Sequence, residues 1–165
     1  QSIVAAETGY PELALRYFYA GLFVDLDDRH RNAADGVHVA STGGVWAALV
    51  YGFGGMRDHG GQVTFDPRLP KGWEELRFRI RLRDTRLHVR VTAEHIKLSV
   101  VSGGSVSLTV RGEPVKVVQG SPVKVPLVRG PKEEAEDESR QLPMVGGRRG
   151  DGSVLTASVP RSREE

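Results

Sequence analysis

From Gln62 onward the apolar residues of this chain fall at every second position, whereas before it they recur at spacings of three and four. Two kinds of secondary structure must therefore follow one another. Leu76, Phe78, Ile80 and Leu82 alternate with Arg77, Arg79, Arg81 and Arg83, which is the pattern of a strand with one face buried and the other in water. Leu13, Ala14, Tyr17, Phe18, Gly21 and Leu22 instead form one broad helical face, and Trp46, Leu49, Val50 and Phe53 form a second. The fold class that follows is mixed, α first and then β.

In the helical part, Ser2 to Glu7 reads as the end or the connection of a helix, and Gly9-Tyr10-Pro11 breaks it. Pro11 with Glu12 suits the first turn of a helix running to about Val24. Asp35 to Gly44 is polar and small, the chain carries no charge from Val45 to Met56, and the pair reads as a loop feeding a buried helix from Val45 to about Phe53. Ser41 and Thr42 are preferred N-cap types, and Gly43-Gly44 lets the backbone come close to whatever lies in front. Free N–H groups and the positive end of the macrodipole would favour an anion there by about 0.3–2 kcal/mol for the dipole alone. A cap without a ligand would use the same residues, and His38 by itself reads as a hydrogen-bonded structural histidine. Two helices cannot bury faces this apolar between them, which predicts a larger helical array.

The strand part is predicted from Leu76 to Arg83, with a turn at Asp84-Thr85 and a return through Leu87, Val89 and Val91. His95–Val101, Val106–Val110, Val115–Val118 and Val123–Leu127 continue it, separated by Gly, Ser and Pro. Short strands at such regular spacing predict a small antiparallel β-sandwich or an open barrel. The arginines of the first hairpin read as a solvated face, and Trp73 as a packing residue. After Val128 an acidic run, Glu133 to Glu138, leads into a tail rich in Gly, Arg, Ser and Pro. Such a tail buries too little apolar surface to offset about 1–2 kcal/mol of backbone ordering per residue and is expected to be disordered. The expected organisation is a helical segment 1–57, a β-sandwich 58–128 and a tail 129–165.

Composition narrows the function. The 165 residues have no cysteine, which removes disulfides and thiolate chemistry. Lys and Arg number 23 against 21 Asp and Glu, a net charge of +2, and no aromatics interleave a dense basic patch, so nucleic acid is not an expected partner. No apolar run is long enough for a membrane span, and with Gln1 at the front the chain is expected to be a soluble, cytoplasmic piece of a longer product. Asp25, Asp27 and Asp28 invite a calcium reading, but Arg29 and Arg31 stand where ligands would be needed, and no metal site is expected. His59, His88 and His95 have no spacing that suggests a metal site or a triad.

Asp35-Gly36-Val37-His38-Val39-Ala40-Ser41-Thr42-Gly43-Gly44-Val45-Trp46, continued by Gly52-Phe53-Gly54-Gly55, resembles the end of the catalytic domain in glycoside hydrolase family 65. That family contains inverting phosphorylases of maltose, trehalose, kojibiose and nigerose, with some hydrolases. The resemblance reaches about Leu127. It implies the last helices of an (α/α)6 barrel followed by a C-terminal β-sandwich.

The resemblance also implies a reaction. Inorganic phosphate attacks the anomeric carbon opposite the departing sugar while a glutamic acid protonates the leaving oxygen, so phosphate takes the place of the activated water of an inverting hydrolase. By resemblance, Ser41, Thr42 and Gly43 would hold the phosphate, Gly44 would allow its approach and His38 would line the pocket. No glutamate here has the context of the general acid, so the chain is expected to be inactive alone. Its implied partners are a disaccharide and phosphate, with no cofactor, and a homodimer is the implied assembly. Two alternatives stay open: an inverting hydrolase of an α-glucosidic disaccharide, against which the lack of Asp and Glu from His38 to Arg57 weighs, and a non-catalytic β-sandwich accessory domain.

Overall fold

The computed structural model describes residues 1–24, 36 and 39–127. The aspartate-rich segment 25–35, His38 and the tail expected to be disordered lie outside them. The chain divides into two compact units, with the break between Ala48 and Leu49.

The first unit is helical. α1 (Ser2–Glu7) ends where the Thr8 hydroxyl donates to the Val4 carbonyl at 2.8 Å. α2 (Pro11–Leu22) begins with proline in its first turn, where the missing N–H costs no helical hydrogen bond. Leu13, Ala14 and Phe18 are buried on the face predicted for them, and the buried Ser2 hydroxyl donates to the Ala14 carbonyl at 2.8 Å, tying α1 to α2. α3 spans Val39–Ala47 and packs on α2 where Gly21 leaves room for Val45. It continues directly into a π-helical turn, Ala48–Phe53.

α3 corrects the expected local structure. The loop was expected to run through Gly44, with Ser41 and Thr42 as caps; instead both lie inside a helix that starts at Val39. Nucleating a helix is costly, but extending one that already exists gains a backbone hydrogen bond per residue. Packing of α3 on α2, where Val45 meets Gly21, offsets the roughly 1 kcal/mol of propensity lost at each of two glycines.

The second unit is built of two four-stranded sheets, ordered β1-β2-β6-β7 and β3-β4-β5-β8. Its strands are β1 (Met56–His59), β2 (Gln62–Phe65), β3 (Glu75–Leu82), β4 (Thr85–Thr92), β5 (His95–Ser102), β6 (Ser105–Val110), β7 (Glu113–Val118) and β8 (Val123–Pro126). This is the β-sandwich expected from the sequence. One pairing departs from the antiparallel expectation, since β2 runs parallel to β6.

Alternation along β3, β4 and β5 buries Phe78, Ile80, Leu87, Val89, Val91, Ile96 and Leu98. Val63, Phe65, Leu108, Val110 and Val117 fill the other sheet's inner face, and Phe65 meets Phe78 with ring centroids 6.4 Å apart. Each such residue contributes about 1.5–3 kcal/mol by leaving water. Trp73 packs edge-on against Phe53 at 5.3 Å, the packing role expected of it.

Two strands were not expected. In the sequence Arg57 to Gly61 reads as the close of the helical part, yet Met56–His59 pairs with Gln62–Phe65 around the two-residue loop Gly60-Gly61. Both glycines have positive φ, 66° and 90°, the backbone that a tight hairpin turn requires. The Asp58 carboxylate accepts from the Gly61 N–H at 2.6 Å.

The turn between β3 and β4 is Arg83-Asp84 rather than Asp84-Thr85. Leu82 pairs with Thr85, and the buried Thr85 hydroxyl donates to the Gly103 carbonyl at 3.0 Å. Arg83 carries a left-handed φ of 54° at the loop position that favours glycine. Arg83→Gly is therefore expected to stabilise this unit by roughly 0.5–1 kcal/mol, because relief of the left-handed strain exceeds glycine's added unfolded-state entropy. A rise of a few degrees in the midpoint of thermal unfolding checks it.

Candidate functional site

The candidate anion site is the start of α3. Ser41 is half-buried, while Thr42, Gly43 and Gly44 are exposed. A Cβ on Gly43 or Gly44 would meet nothing within 4 Å among the described residues. No Asp or Glu stands between Val39 and Arg57 to repel an anion.

Because the helix begins at Val39, its unpaired first-turn N–H groups belong to Val39, Ala40 and Ser41, and from Thr42 onward the amides enter the helical ladder. Residues on a helix are about 100° apart around the axis, so Ser41 and Gly44 share a face while Thr42 points a quarter turn away. In α3, then, Ser41 and Gly44 lie on one face, Thr42 lies on another, and Gly43 stands between them along the helix. His38, the fifth residue of the implied set, lies outside the described residues.

Within the second unit, hydrogen bonds fix the end of the π-turn. The Arg57 guanidinium donates to the carbonyls of Tyr51 and Met56, capping the π-turn. The Gly55 carbonyl accepts from the Asp66 N–H at 3.0 Å, and the Phe53 carbonyl from the Arg68 N–H at 2.9 Å. Arg111 fixes the same corner, donating through Nε to Asp66 at 3.1 Å and through Nη1 to the Leu127 carbonyl at 3.1 Å.

Among the described residues no three His, Cys, Asp or Glu side chains come together as a metal group, and no helix is long and apolar enough to cross a membrane. The perturbed groups lie on the sheet β3-β4-β5-β8. Desolvation raises the Glu75 carboxyl, but the hydrogen bonds and charges of Arg90 and Arg77 outweigh it and hold the group below its ordinary value. A carboxyl lowered on folding stabilises fully above its ordinary 4.5, and that stabilisation is lost as the pH falls through the lowered folded-state value. Thermal unfolding from about pH 6 to about pH 3 should therefore show a smaller loss of midpoint in Glu75→Gln than in the parent chain.

Sequence reading missed how far the charge of this sheet extends. Arg77 and Arg90 are visible as part of an alternating hairpin, but only the register sets Lys97 and Lys124 in line with them.

Comparison with known proteins supplies the family. Residues 1–47 match the model of the glycosyl hydrolase family 65 central catalytic domain, and residues 56–117 match that of the family 65 C-terminal domain. An uncharacterised glycosyl hydrolase of Mycobacterium leprae is 44% identical over 124 residues, 74% of this chain and 16% of that protein. An α,α-trehalose phosphorylase of Thermoanaerobacter brockii is 40% identical over 107 residues, 65% of this chain and 14% of that protein. A solved structure from the human microbiome, named provisionally as a kojibiose phosphorylase, superposes with a TM-score of 0.69 at 25% identity, covering 76% of this chain and 17% of that one. The chain spans about one sixth of the length of the curated relatives it matches. With residues 1–47 matching the central catalytic domain and residues 56–117 the C-terminal domain, the chain belongs to glycoside hydrolase family 65.

Proposed function

We propose that this chain supplies the phosphate-binding helix start and the C-terminal β-sandwich of an inverting α-glucoside phosphorylase. The observation that carries the reading is α3 itself, whose residues include no Asp or Glu and which sets Ser41 and Gly44 on one face, in a chain whose relatives include trehalose, maltose and kojibiose phosphorylases. A phosphate dianion there is favoured by the first-turn N–H groups and the positive helix end, and the Ser41 hydroxyl donates to it without consuming its attacking oxygen. In this reading Thr42 adds a second hydroxyl and His38, by family resemblance, lines the pocket.

In this reading the helical unit closes an (α/α)6 barrel whose other helices, with the glutamic acid that protonates the leaving sugar, lie outside the chain. The phosphate oxygen attacks the anomeric carbon as the glycosidic bond breaks, giving an inverted sugar 1-phosphate and a free sugar. The enzyme works in the cytoplasm, and the 165-residue chain by itself turns nothing over.

The test incubates a full-length protein carrying this chain with maltose, trehalose, kojibiose and nigerose, with and without inorganic phosphate. Glucose 1-phosphate that appears only with phosphate supports the reading and identifies the disaccharide. Glucose released equally without phosphate overturns it in favour of a hydrolase.

A further inference from the structure

The outer face of the sheet β3-β4-β5-β8 concentrates positive charge in a way that the strand register alone reveals. Arg77 stands opposite Arg90, Arg90 opposite Lys97 and Lys97 opposite Lys124, one unbroken row of cations across all four strands. With strands about 4.8 Å apart the row is about 14 Å long. Arg81 opposite Arg86, and Arg79 opposite His88, extend it along the hairpin.

Like charges directly opposite one another destabilise a sheet, and a face built only for solubility mixes its signs. Here Glu75 is the one carboxylate on the outer face of these strands, bridging Arg77 and Arg90. Among the described residues no carboxylate pairs with Lys97 or Lys124. The chain as a whole is nearly neutral, at +2, so the excess is local, and five of its acidic residues are instead gathered between Glu133 and Glu138.

The field of the row reaches its neighbours. Desolvation first, and then the charge of Lys124 with those of Arg90 and Lys97, holds the His95 imidazole below its ordinary value against the opposing pull of Glu94.

We propose that this cation row is a docking surface for an acidic segment of a partner polypeptide. Carboxylates match the planar guanidinium fork of the arginines and the point charges of the two lysines. The outer positions of these strands carry no Phe, Tyr or Trp, so the face lacks the large aromatic platforms on which bases stack best, which sets nucleic acid second. The proposal is independent of the phosphorylase reading.

The test uses the full chain with Glu133, Glu134, Glu136, Asp137 and Glu138 changed to glutamine, which removes its own acidic competitor. A fluorescein-labelled peptide with the sequence of residues 130–140 is titrated in, and anisotropy is read at low and high salt. Saturable, salt-weakened binding is expected, and Lys97→Glu with Lys124→Glu should weaken it by about tenfold or more, because each cation is replaced by a like charge. Lys116→Glu, on β7 of the other sheet, should change it by less than about twofold. Lys97→Gln with Lys124→Gln, which only neutralises, should give an intermediate loss and keeps the test decisive if the double reversal fails to fold. Absence of saturable binding, or an equal loss from Lys116→Glu, overturns the proposal. So does tighter binding of a short single-stranded oligonucleotide that the Lys97 and Lys124 changes abolish.

Discussion

In a full-length protein carrying this chain, Ser41→Ala combined with Thr42→Ala is expected to raise the KM for inorganic phosphate by about 100-fold. A hydrogen bond to a charged group contributes about 1.5–3 kcal/mol, so loss of one principal donor with a smaller second contribution corresponds to about 100-fold. The helical geometry adds a finer expectation. Ser41 lies in the first turn of α3 and shares a face with Gly44, so Ser41→Ala alone should account for most of the change, with Thr42→Ala contributing less. Steady-state kinetics at varied phosphate and saturating disaccharide give both values. An unchanged KM for phosphate in the double variant would reduce this segment to ordinary helix.

Gly55→Ala is expected to unfold the strand unit or to lower its midpoint by more than about 10 °C. Gly55 has a φ of 62°, and a Cβ there would lie 1.9 Å from the Asp66 carbonyl oxygen. Backbone, unlike a flexible side chain, cannot swing aside, so the 3.0 Å bond from the Asp66 N–H to the Gly55 carbonyl must break as the strands separate. The combined cost is roughly 3–5 kcal/mol, of which left-handed strain accounts for about 1. Gly60 isolates that smaller part, having a similar φ of 66° with nothing within 4 Å of a Cβ. Gly60→Ala should therefore cost only about 1 kcal/mol, and equal losses in the two variants would refute the steric account. Circular dichroism melts of both decide it.

Much of the fold was legible because its signals are local. Pro11 opened α2, and the alternation from Leu76 to Val100 placed β3, β4 and β5 and identified their buried faces. The stretch from Asp35 to Trp46 pointed to the family that the matches to residues 1–47 and 56–117 established. What was misread was the meaning of glycine. Gly60-Gly61 looked like the end of a helical part and is a hairpin turn, while Gly43-Gly44 looked like a loop and lies within α3. Glycine permits many backbones and by itself specifies none of them.

The sequence by itself determined the order of helix and strand, the inward side of β3, β4 and β5 and the lack of Asp and Glu from His38 to Arg57, because periodicity and charge are properties of neighbouring residues. Only the tertiary structure decided that β2 runs parallel to β6, that Ser41 shares a face with Gly44, and that Lys97 and Lys124 complete a row begun by Arg77 and Arg90. Register and helix start are set by pairing between distant segments, whose energies no local pattern contains.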